Sequence, residues 1–268
     1  VMRRIKTVAI VGAGTMGQGI AISCTLAGYE TIIFDVNTGF SEKGILTIQQ
    51  ALNQSVAKGK LSQTAFEQAL GRIRKASQLS EVVADLVIEA VVENLEVKQK
   101  LFTELEKINQ GETILASNTS SIAITQIAST LADPSRCVGL HFFNPAHLMK
   151  LVEIISGANT SPELIVAMKE FAATLGKVAV EVKDSPGFIV NRVARHYYVE
   201  SLKVLEDDVT SHVGIDRLLK SAGFKMGPFE LMDLIGHDVN YVVTETVWTQ
   251  FYFDPKFKPA LSQKRLLE

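Results

Sequence analysis

A glycine-rich turn near the amino terminus constrains the fold of this 268-residue chain more than any other feature. The apolar run Val8-Ala9-Ile10-Val11 leads directly into Gly12-Ala13-Gly14-Thr15-Met16-Gly17, and a helical pattern follows. In such a turn the first glycine permits a tight bend, the second lets a phosphate approach the backbone, and the third lets the helix pack closely on the strand. We therefore predict a pyrophosphate site at the start of the helix. Its residues are Gly12, Gly14, Thr15, Met16 and Gly17.

An acidic residue near the end of the second predicted strand extends this site. Asp35 lies in Phe34-Asp35-Val36-Asn37, and no arginine or lysine follows it closely. A carboxylate at this position accepts hydrogen bonds from both ribose hydroxyls and repels a 2′-phosphate. The predicted cofactor is therefore NAD rather than NADP. The alternative is an ordinary glycine-rich turn beside a surface aspartate.

Strand-like and helical patterns alternate along the first half of the chain, which predicts an α/β fold with a mostly parallel sheet. The predicted strands are 7–11, 31–36, 85–91, 113–116, 137–141, 151–155 and 177–182. The predicted helices are 16–27, 95–108, 121–131 and 162–175. Residues 41–74 carry no strand signal, and we expect two helices there, broken near Gly59 and Ser62, as a helical excursion after the second strand.

The pattern changes at Asp184-Ser185-Pro186-Gly187. Beyond this point the chain has helical patterns separated by short breaks that contain glycine or proline. We therefore predict two domains, 1–184 and 185–268, of which the second is helical.

Charge and cysteine usage narrow the classes of partner. The formal net charge is −2, and no apolar run is long enough for a membrane span, so neither nucleic acid nor a membrane is expected as a partner. Cys24 and Cys137 lie in apolar runs and are predicted to be buried free thiols. A reducing compartment and hence a cytoplasmic location follow as expectations. No metal site is predicted.

Two titratable residues lie on successive apolar runs. His141 follows the run 137–140, and Glu153 is the one carboxylate in Leu151-Val152-Glu153-Ile154-Ile155. Histidine titrates near neutral pH and suits a general base, and a buried carboxylate needs a partner. We interpret the two as a base and the carboxylate that orients it. A histidine with no catalytic role is the alternative.

Two further polar features stay open on the residues alone. The segment Ser117-Asn118-Thr119-Ser120-Ser121 lies between a predicted strand and a predicted helix, where hydroxyl groups commonly cap the helix. Asn191 lies about one turn into a predicted helix among apolar residues, where a core amide bonded to the backbone is an equally good interpretation.

Together these features resemble the 3-hydroxyacyl-CoA dehydrogenase family, including the short-chain 3-hydroxybutyryl-CoA dehydrogenases of bacteria, from about Lys6 to the end of the chain. The further motifs that carry the resemblance are Val92-Glu93-Asn94, His141-Phe142-Phe143-Asn144-Pro145, residues 149–153, residues 186–192 and Met226-Gly227-Pro228-Phe229-Glu230-Leu231. The resemblance implies a Rossmann-like, mostly parallel sheet, followed by an all-α C-terminal domain through which the subunits form a homodimer.

The resemblance also implies a reaction. It is the reversible, NAD-dependent oxidation of the 3-hydroxyl of a (3S)-hydroxyacyl-CoA thioester, as in fatty acid β-oxidation, with His141 as the base and Glu153 as its partner. Ser120 and Asn191 are then substrate contacts, and Lys58 meets coenzyme A, although the residues alone indicate a solvated lysine. The further cofactor contacts that it implies are Glu93, Lys98, Ser120 and Asn144.

The chain departs from the family pattern in two places. His147 stands where the family usually has proline, so we expect the loop between His141 and Glu153 to differ slightly. The sequence stops at Glu268, whereas relatives typically continue into a glycine- and lysine-rich tail, so the C-terminal domain is expected to be cut short.

The acyl group stays open between two interpretations. The default is 3-hydroxybutyryl-CoA, but residues 191–198 and 233–240 resemble the branch that oxidises 3-hydroxyadipyl-CoA in phenylacetate breakdown. Arg195 lies one helical turn beyond Asn191 and can pair with the distal carboxylate of that substrate, or else bond a neighbouring glutamate or carbonyl. Two rival classes remain: a dehydrogenase of free hydroxy acids or sugar acids, and a non-catalytic, crystallin-like NAD-binding protein.

Overall fold

The structure is a computed structural model that describes residues 4–267. The chain forms two compact units, of which the first ends at Asp184 and the second begins at Ser185. Residues 1–3 and Glu268 lie outside the described residues. The expectation that the C-terminal domain is cut short concerns Glu268.

The first unit is built on one eight-stranded sheet with the strand order β3-β2-β1-β4-β5-β6-β7-β8. Its strands are β1 (Thr7–Val11), β2 (Glu30–Phe34), β3 (Ile73–Lys75), β4 (Leu86–Glu89), β5 (Ile114–Ser117), β6 (Cys137–Phe142), β7 (Leu151–Ser156) and β8 (Val178–Lys183). All neighbouring strands pair in parallel except β6 and β7, which are antiparallel. The predicted α/β fold with a mostly parallel sheet is confirmed.

Six α-helices connect these strands. They are α1 (Thr15–Leu26), α2 (Thr38–Ala57), α3 (Gln63–Gly71), α4 (Leu95–Ile108), α5 (Ile124–Ala128) and α6 (Pro162–Thr174). Polar side chains fix where several of them begin, because Asn37, Ser62, Asn94 and Ser161 each accept a hydrogen bond from a backbone N–H of the first turn. Helix α5 is much shorter than the predicted 121–131, since residues 119–122 form a hydrogen-bonded loop instead of a helical turn.

Strand β3 corrects the prediction that residues 41–74 contain no strand. Two of its three residues are charged, so it has no apolar alternation that the sequence can reveal. It lies at the edge of the sheet and pairs in parallel with β2, from Ile73 opposite Thr31 to Lys75 opposite Ile33. The pairing with β2 therefore determines this strand, and its own residue pattern does not. The two expected helices are present as α2 and α3.

The central strands are buried on both faces. Ile10, Ile88, Leu140 and Ile154 have no exposed surface, and they belong to one core cluster that also includes residues of α1, α2 and α6. Full burial of such a side chain is worth about 1.5–3 kcal/mol. Because the strands are packed on both faces, their ends hold the polar residues that follow them in fixed positions.

The second unit is helical, as predicted. Its helices are α7 (Val190–Glu206), α8 (His212–Ser221), α9 (Pro228–Ile235), α10 (His237–Gln250) and α11 (Leu261–Arg265). Tyr198, Leu202, Met232 and Ala260 form its core cluster. Within residues 4–267, no helix combines the length and the hydropathy that crossing a bilayer requires.

Candidate active site

The segment from the end of β1 into the first turn of α1 contains two glycines at which nearby backbone atoms leave no room for a Cβ. Gly12 has a φ of 107°, and a Cβ there would lie 2.4 Å from the carbonyl oxygen of Ala90. A Cβ on Gly17 would lie 1.8 Å from the carbonyl oxygen of Gly12. Gly14 differs, because it is exposed and a Cβ on it would meet nothing within 4 Å. The open space over Gly14, at the start of α1, fits a bound pyrophosphate.

Asp35 is held beside this turn. Its Oδ2 accepts a hydrogen bond from the backbone N–H of Ala13 at 2.9 Å, and its Oδ1 accepts one from Asn37 at 3.0 Å. Asp35 directly follows β2, the neighbour of β1, so the carboxylate is fixed at the same edge of the sheet as the turn. Thr15 is exposed and Met16 half-buried at the start of α1. These residues fit an adenosine ribose and a diphosphate.

The pairing of β6 with β7 brings His141 and Glu153 together. The two residues are direct partners in the antiparallel register, and Nδ1 of His141 lies 2.7 Å from Oε2 of Glu153. His141 is 6% exposed and Glu153 is 1% exposed. An ionised carboxylate can only accept a hydrogen bond, so Nδ1 carries the hydrogen and the lone pair of the imidazole lies on Nε2. This is the arrangement of a general base with an orienting carboxylate.

Glu93 organises the hydroxyl-rich loop that follows β5. Its Oε1 accepts hydrogen bonds from the hydroxyl of Thr119, the backbone N–H groups of Ser120 and Ser121, and the hydroxyl of Ser121. Burial raises the pKa of the Glu93 carboxyl, but the charge of Lys98 and the hydrogen bonds outweigh this effect, so the pKa lies below its ordinary value. A charged Glu93 therefore fixes the backbone on both sides of Ser120.

Ser120 itself keeps its hydroxyl group available. The residue is half-buried, and its Oγ has no hydrogen-bond partner among the residues that the structure describes. Asn118 connects the same loop to β6, because its Oδ1 accepts a hydrogen bond at 2.9 Å from the backbone N–H of Phe142, the residue next to His141. The loop and the base are thus joined through one short contact.

Lys98 lies beneath this loop in a buried ion pair. Its Nζ is 2.5 Å from Oε1 of Glu89 and 3.3 Å from Oε2 of Glu93. Lys98 is 1% exposed and Glu89 is fully buried. The structure thus places Lys98 between two carboxylates, whereas the family resemblance implies only a cofactor contact for it.

The loop from β6 to β7 carries Asn144 and His147, which are both exposed. Lys177 holds this loop, since its Nζ donates hydrogen bonds to the carbonyl oxygens of Ala146 at 2.6 Å and Met149 at 2.8 Å. Burial lowers the pKa of Lys177. Burial and the charge of Lys177 lower the pKa of His147. The residue that replaces the usual proline is therefore a surface imidazole with a reduced tendency to carry charge.

Two further predicted residues lie on α2 and α7. Lys58 is exposed at the carboxyl end of α2 in the first unit. Asn191 is half-buried in the first turn of α7 in the second unit.

Arg195 is buried and bonded within the second unit. Its Nε donates to the carbonyl oxygen of Asn191 at 3.0 Å, and its Nη1 donates to the carbonyl oxygen of Asn240 at 3.1 Å and to Oγ1 of Thr244 at 2.9 Å. Burial lowers the pKa of the guanidinium to about 10. Of the two interpretations of Arg195, the structure favours the arginine that bonds neighbouring carbonyls.

Sequence reasoning missed three residues that hold the loops of the site. Asn118 was part of a motif but received no role, and Lys177 gave no local signal, because its partners lie about 30 residues earlier in the chain. Glu89 did give a signal: it is one carboxylate after the apolar run Leu86-Val87-Ile88, the same pattern that pointed to Glu153.

Both units of the chain are similar to known proteins. Residues 7–185 match the family described as "3-hydroxyacyl-CoA dehydrogenase, NAD binding domain", and residues 187–268 match "3-hydroxyacyl-CoA dehydrogenase, C-terminal domain". A 3-hydroxyadipyl-CoA dehydrogenase of Escherichia coli is 44% identical over 99% of this chain, which spans only 56% of that relative. A probable 3-hydroxybutyryl-CoA dehydrogenase of Bacillus subtilis is 38% identical, with 96% of this chain and 90% of the relative covered.

One solved structure shows how closely the fold is shared. The crystal structure of a (S)-3-hydroxybutyryl-CoA dehydrogenase from Ralstonia eutropha superposes with a TM-score of 0.95 at 38% identity. The superposition covers 98% of this chain and 94% of that protein. Both units of the chain thus have counterparts in one enzyme of similar length.

Proposed function

Because the chain belongs to the 3-hydroxyacyl-CoA dehydrogenase family, we propose that it oxidises the 3-hydroxyl of a (3S)-3-hydroxyacyl-CoA thioester to a ketone, reversibly and with NAD. The observation that carries the proposal is the buried pair of His141 and Glu153, 2.7 Å apart, in the sheet that also holds the NAD-binding turn. A non-catalytic NAD-binding protein has no need of a buried base and its orienting carboxylate, so the pair favours an enzyme.

His141 is the residue that moves the proton. Its Nε2 accepts the hydrogen of the 3-hydroxyl, and the carboxylate of Glu153 stabilises the imidazolium that results. NAD, when bound, supplies the acceptor for the hydride that leaves C3. In the reverse direction the imidazolium returns its proton to the 3-keto oxygen.

We assign the substrate and cofactor contacts from the placement of the side chains and from the family resemblance. Ser120 holds the reacting oxygen, since its Oγ lies on a loop fixed by Glu93 and has no other partner within the described residues. Asn191, in the first turn of α7, is assigned as a second contact to the substrate. Asn144, in an exposed loop, is assigned to the cofactor, and the exposed Lys58 is assigned to coenzyme A.

The acyl group that we propose is short and uncharged, as in 3-hydroxybutyryl-CoA. The hydrogen bonds of Arg195 within its own unit weigh against a distal carboxylate as its partner. The second candidate is 3-hydroxyadipyl-CoA. It is favoured by the 44% identity to the Escherichia coli relative named 3-hydroxyadipyl-CoA dehydrogenase.

A comparison of three substrates tests the proposal. The values of kcat/KM are measured for 3-hydroxybutyryl-CoA, 3-hydroxyadipyl-CoA and free 3-hydroxybutyrate. We expect the C4 thioester to be used best, and Lys58→Met to raise its KM by about tenfold, because one phosphate contact of about 1.4 kcal/mol is lost. The matched control is Lys60→Met, an exposed lysine two residues away. Equal use of the free acid contradicts the thioester assignment, and preference for the C6 thioester selects the second candidate.

We also propose that two copies of the chain form a homodimer through the second unit. Val193, Leu234 and Val242 are apolar residues of this unit and are 64%, 70% and 57% exposed. Apolar surface of this kind is typically covered by a partner, and a twofold dimer is the commonest solution. Light scattering at micromolar concentration is expected to give twice the 29.3 kDa mass of one chain, and the mass of a single chain contradicts the proposal.

The cytoplasm is the compartment that we propose. Cys24 and Cys137 are buried free thiols, and burial raises the pKa of Cys24 to about 12. Protonated, inaccessible thiols of this kind are typical of proteins in a reducing compartment. Fractionation of the source cells tests this location.

A further inference from the structure

Glu89 is a buried carboxylate that has no part in the reaction described above. It is the last residue of β4 and has no exposed surface. Its oxygens accept hydrogen bonds from the backbone N–H of Val91 at 2.7 Å, from the hydroxyl of Ser117 at 2.6 Å and from the ammonium of Lys98 at 2.5 Å. A buried charge is tolerated only when it is paired, so a carboxylate with three donors indicates a site under tight constraint.

Two routes lead from the side chain of Glu89 to the loop that carries Ser120. The first passes through Lys98, whose Nζ lies 3.3 Å from Glu93, the carboxylate that accepts the backbone N–H groups of Ser120 and Ser121. The second is shorter, because Oγ of Ser117, which donates to Glu89, accepts the backbone N–H of Thr119 at 3.2 Å. The position of the loop therefore depends on Glu89 both through Lys98 and Glu93 and through Ser117.

We propose that Glu89 is a positioning residue, which acts through Lys98 and Ser117 to set the place of the Ser120 hydroxyl. The proposal rests on the proposed function, in which Ser120 holds the reacting oxygen. A hydroxyl that is displaced by a fraction of an ångström no longer aligns that oxygen with the base, and reaction rates depend steeply on such alignment.

The balance of charges explains why Glu89 has this effect. Lys98 lies between two carboxylates and is shared by them. When Glu89 is replaced by neutral glutamine, the ammonium keeps only one charged partner, Glu93, and moves towards it. Glu93 then turns towards Lys98 and loosens its hydrogen bonds with the loop.

The test is a double-mutant cycle of Glu89→Gln with Ser120→Ala. We expect Glu89→Gln to lower kcat/KM for the thioester by about 10–100-fold, because the reacting oxygen is misplaced. In the Ser120→Ala background the same change is expected to have no further effect, because the group that Glu89 positions is already absent. If Glu89→Gln does not fold, Ser117→Ala takes its place in the cycle, with the same expected result.

A matched control separates positioning from general stability. Asp216 is also a buried carboxylate, 6% exposed, and it accepts the backbone N–H groups of Phe229 and Glu230 in the second unit. Asp216→Asn is expected to lower the unfolding temperature. Any effect that it has on kcat/KM is expected to add to the effect of Ser120→Ala. The proposal is overturned if the losses of kcat/KM caused by Glu89→Gln and Ser120→Ala are additive. It is also overturned if Glu89→Gln causes no loss of kcat/KM.

Amide hydrogen exchange gives a readout that does not depend on activity. The N–H groups of Ser120 and Ser121 are expected to exchange faster in Glu89→Gln than in the wild type, while those of β1 are unchanged. Unchanged exchange at both serines overturns the positioning role. If the loop does loosen but the wild-type protein does not oxidise the thioester, the proposed function fails and the structural link from Glu89 to the loop stands.

Discussion

Replacing His141 with glutamine is expected to lower kcat by about 10²–10⁴-fold, the usual contribution of a general base. Glutamine keeps a polar group of similar size opposite Glu153 but offers no lone pair on a basic nitrogen. His141 lies in the sheet core and not in the turn that binds NAD, so the affinity for NAD is expected to stay unchanged. The rise of NADH absorbance measures turnover, and calorimetry measures NAD binding.

Two companion variants sharpen this result. Glu153→Gln is expected to show a large loss too, because an amide can present its N–H to Nδ1 and favour the wrong imidazole tautomer. His147→Gln is the control: it removes an exposed imidazole from the loop between β6 and β7, and a mild effect is expected. A loss of kcat below about tenfold for His141→Gln contradicts the assignment of the base. A severe loss of kcat for His147→Gln shows that His147 is the general base instead.

The pairing of His141 with Glu153 shows how far the sequence alone can lead. Glu153 is the one carboxylate in an apolar run and His141 directly follows another, so burial of both was predictable, and buried charge implies a partner. The antiparallel register that places them opposite each other was not predictable. It depends on the length of the loop between β6 and β7 and on Lys177, the residue before β8, which holds that loop.

The hydroxyl-rich loop shows where local patterns mislead. Its serine and threonine residues are typical of a helix start, and the prediction extended a helix from 121 to 131. In the structure their donors face Glu93, which lies about 27 residues earlier in the chain, and the helix begins only at Ile124. A contact of such sequence separation can compete with helix capping, and no local window contains both partners.

The glycine-rich turn allows the fold and the cofactor site to be tested separately. Gly17→Ala is expected to destabilise the protein by about 1–3 kcal/mol, the usual cost of overpacking, because its Cβ would lie 1.8 Å from a backbone oxygen that cannot move freely. For a protein of this size the unfolding temperature falls by about 2–4 °C for each kcal/mol. Differential scanning calorimetry without NAD measures this loss.

Gly14→Ala is expected to do the reverse, with little loss of stability and a large loss of NAD affinity. Gly14 has a φ of −71°, which alanine adopts readily, and its Cβ would meet no atom of the protein within 4 Å. The added methyl group instead occupies the space over the start of α1, where a pyrophosphate approaches the backbone most closely, so the dissociation constant of NAD is expected to rise by at least about tenfold. Gly71→Ala is the matched control, since Gly71 also has open space around it but lies at the end of α3. If Gly14→Ala binds NAD as tightly as Gly71→Ala does, the cofactor does not pass over this turn, and the proposed arrangement of the site is wrong.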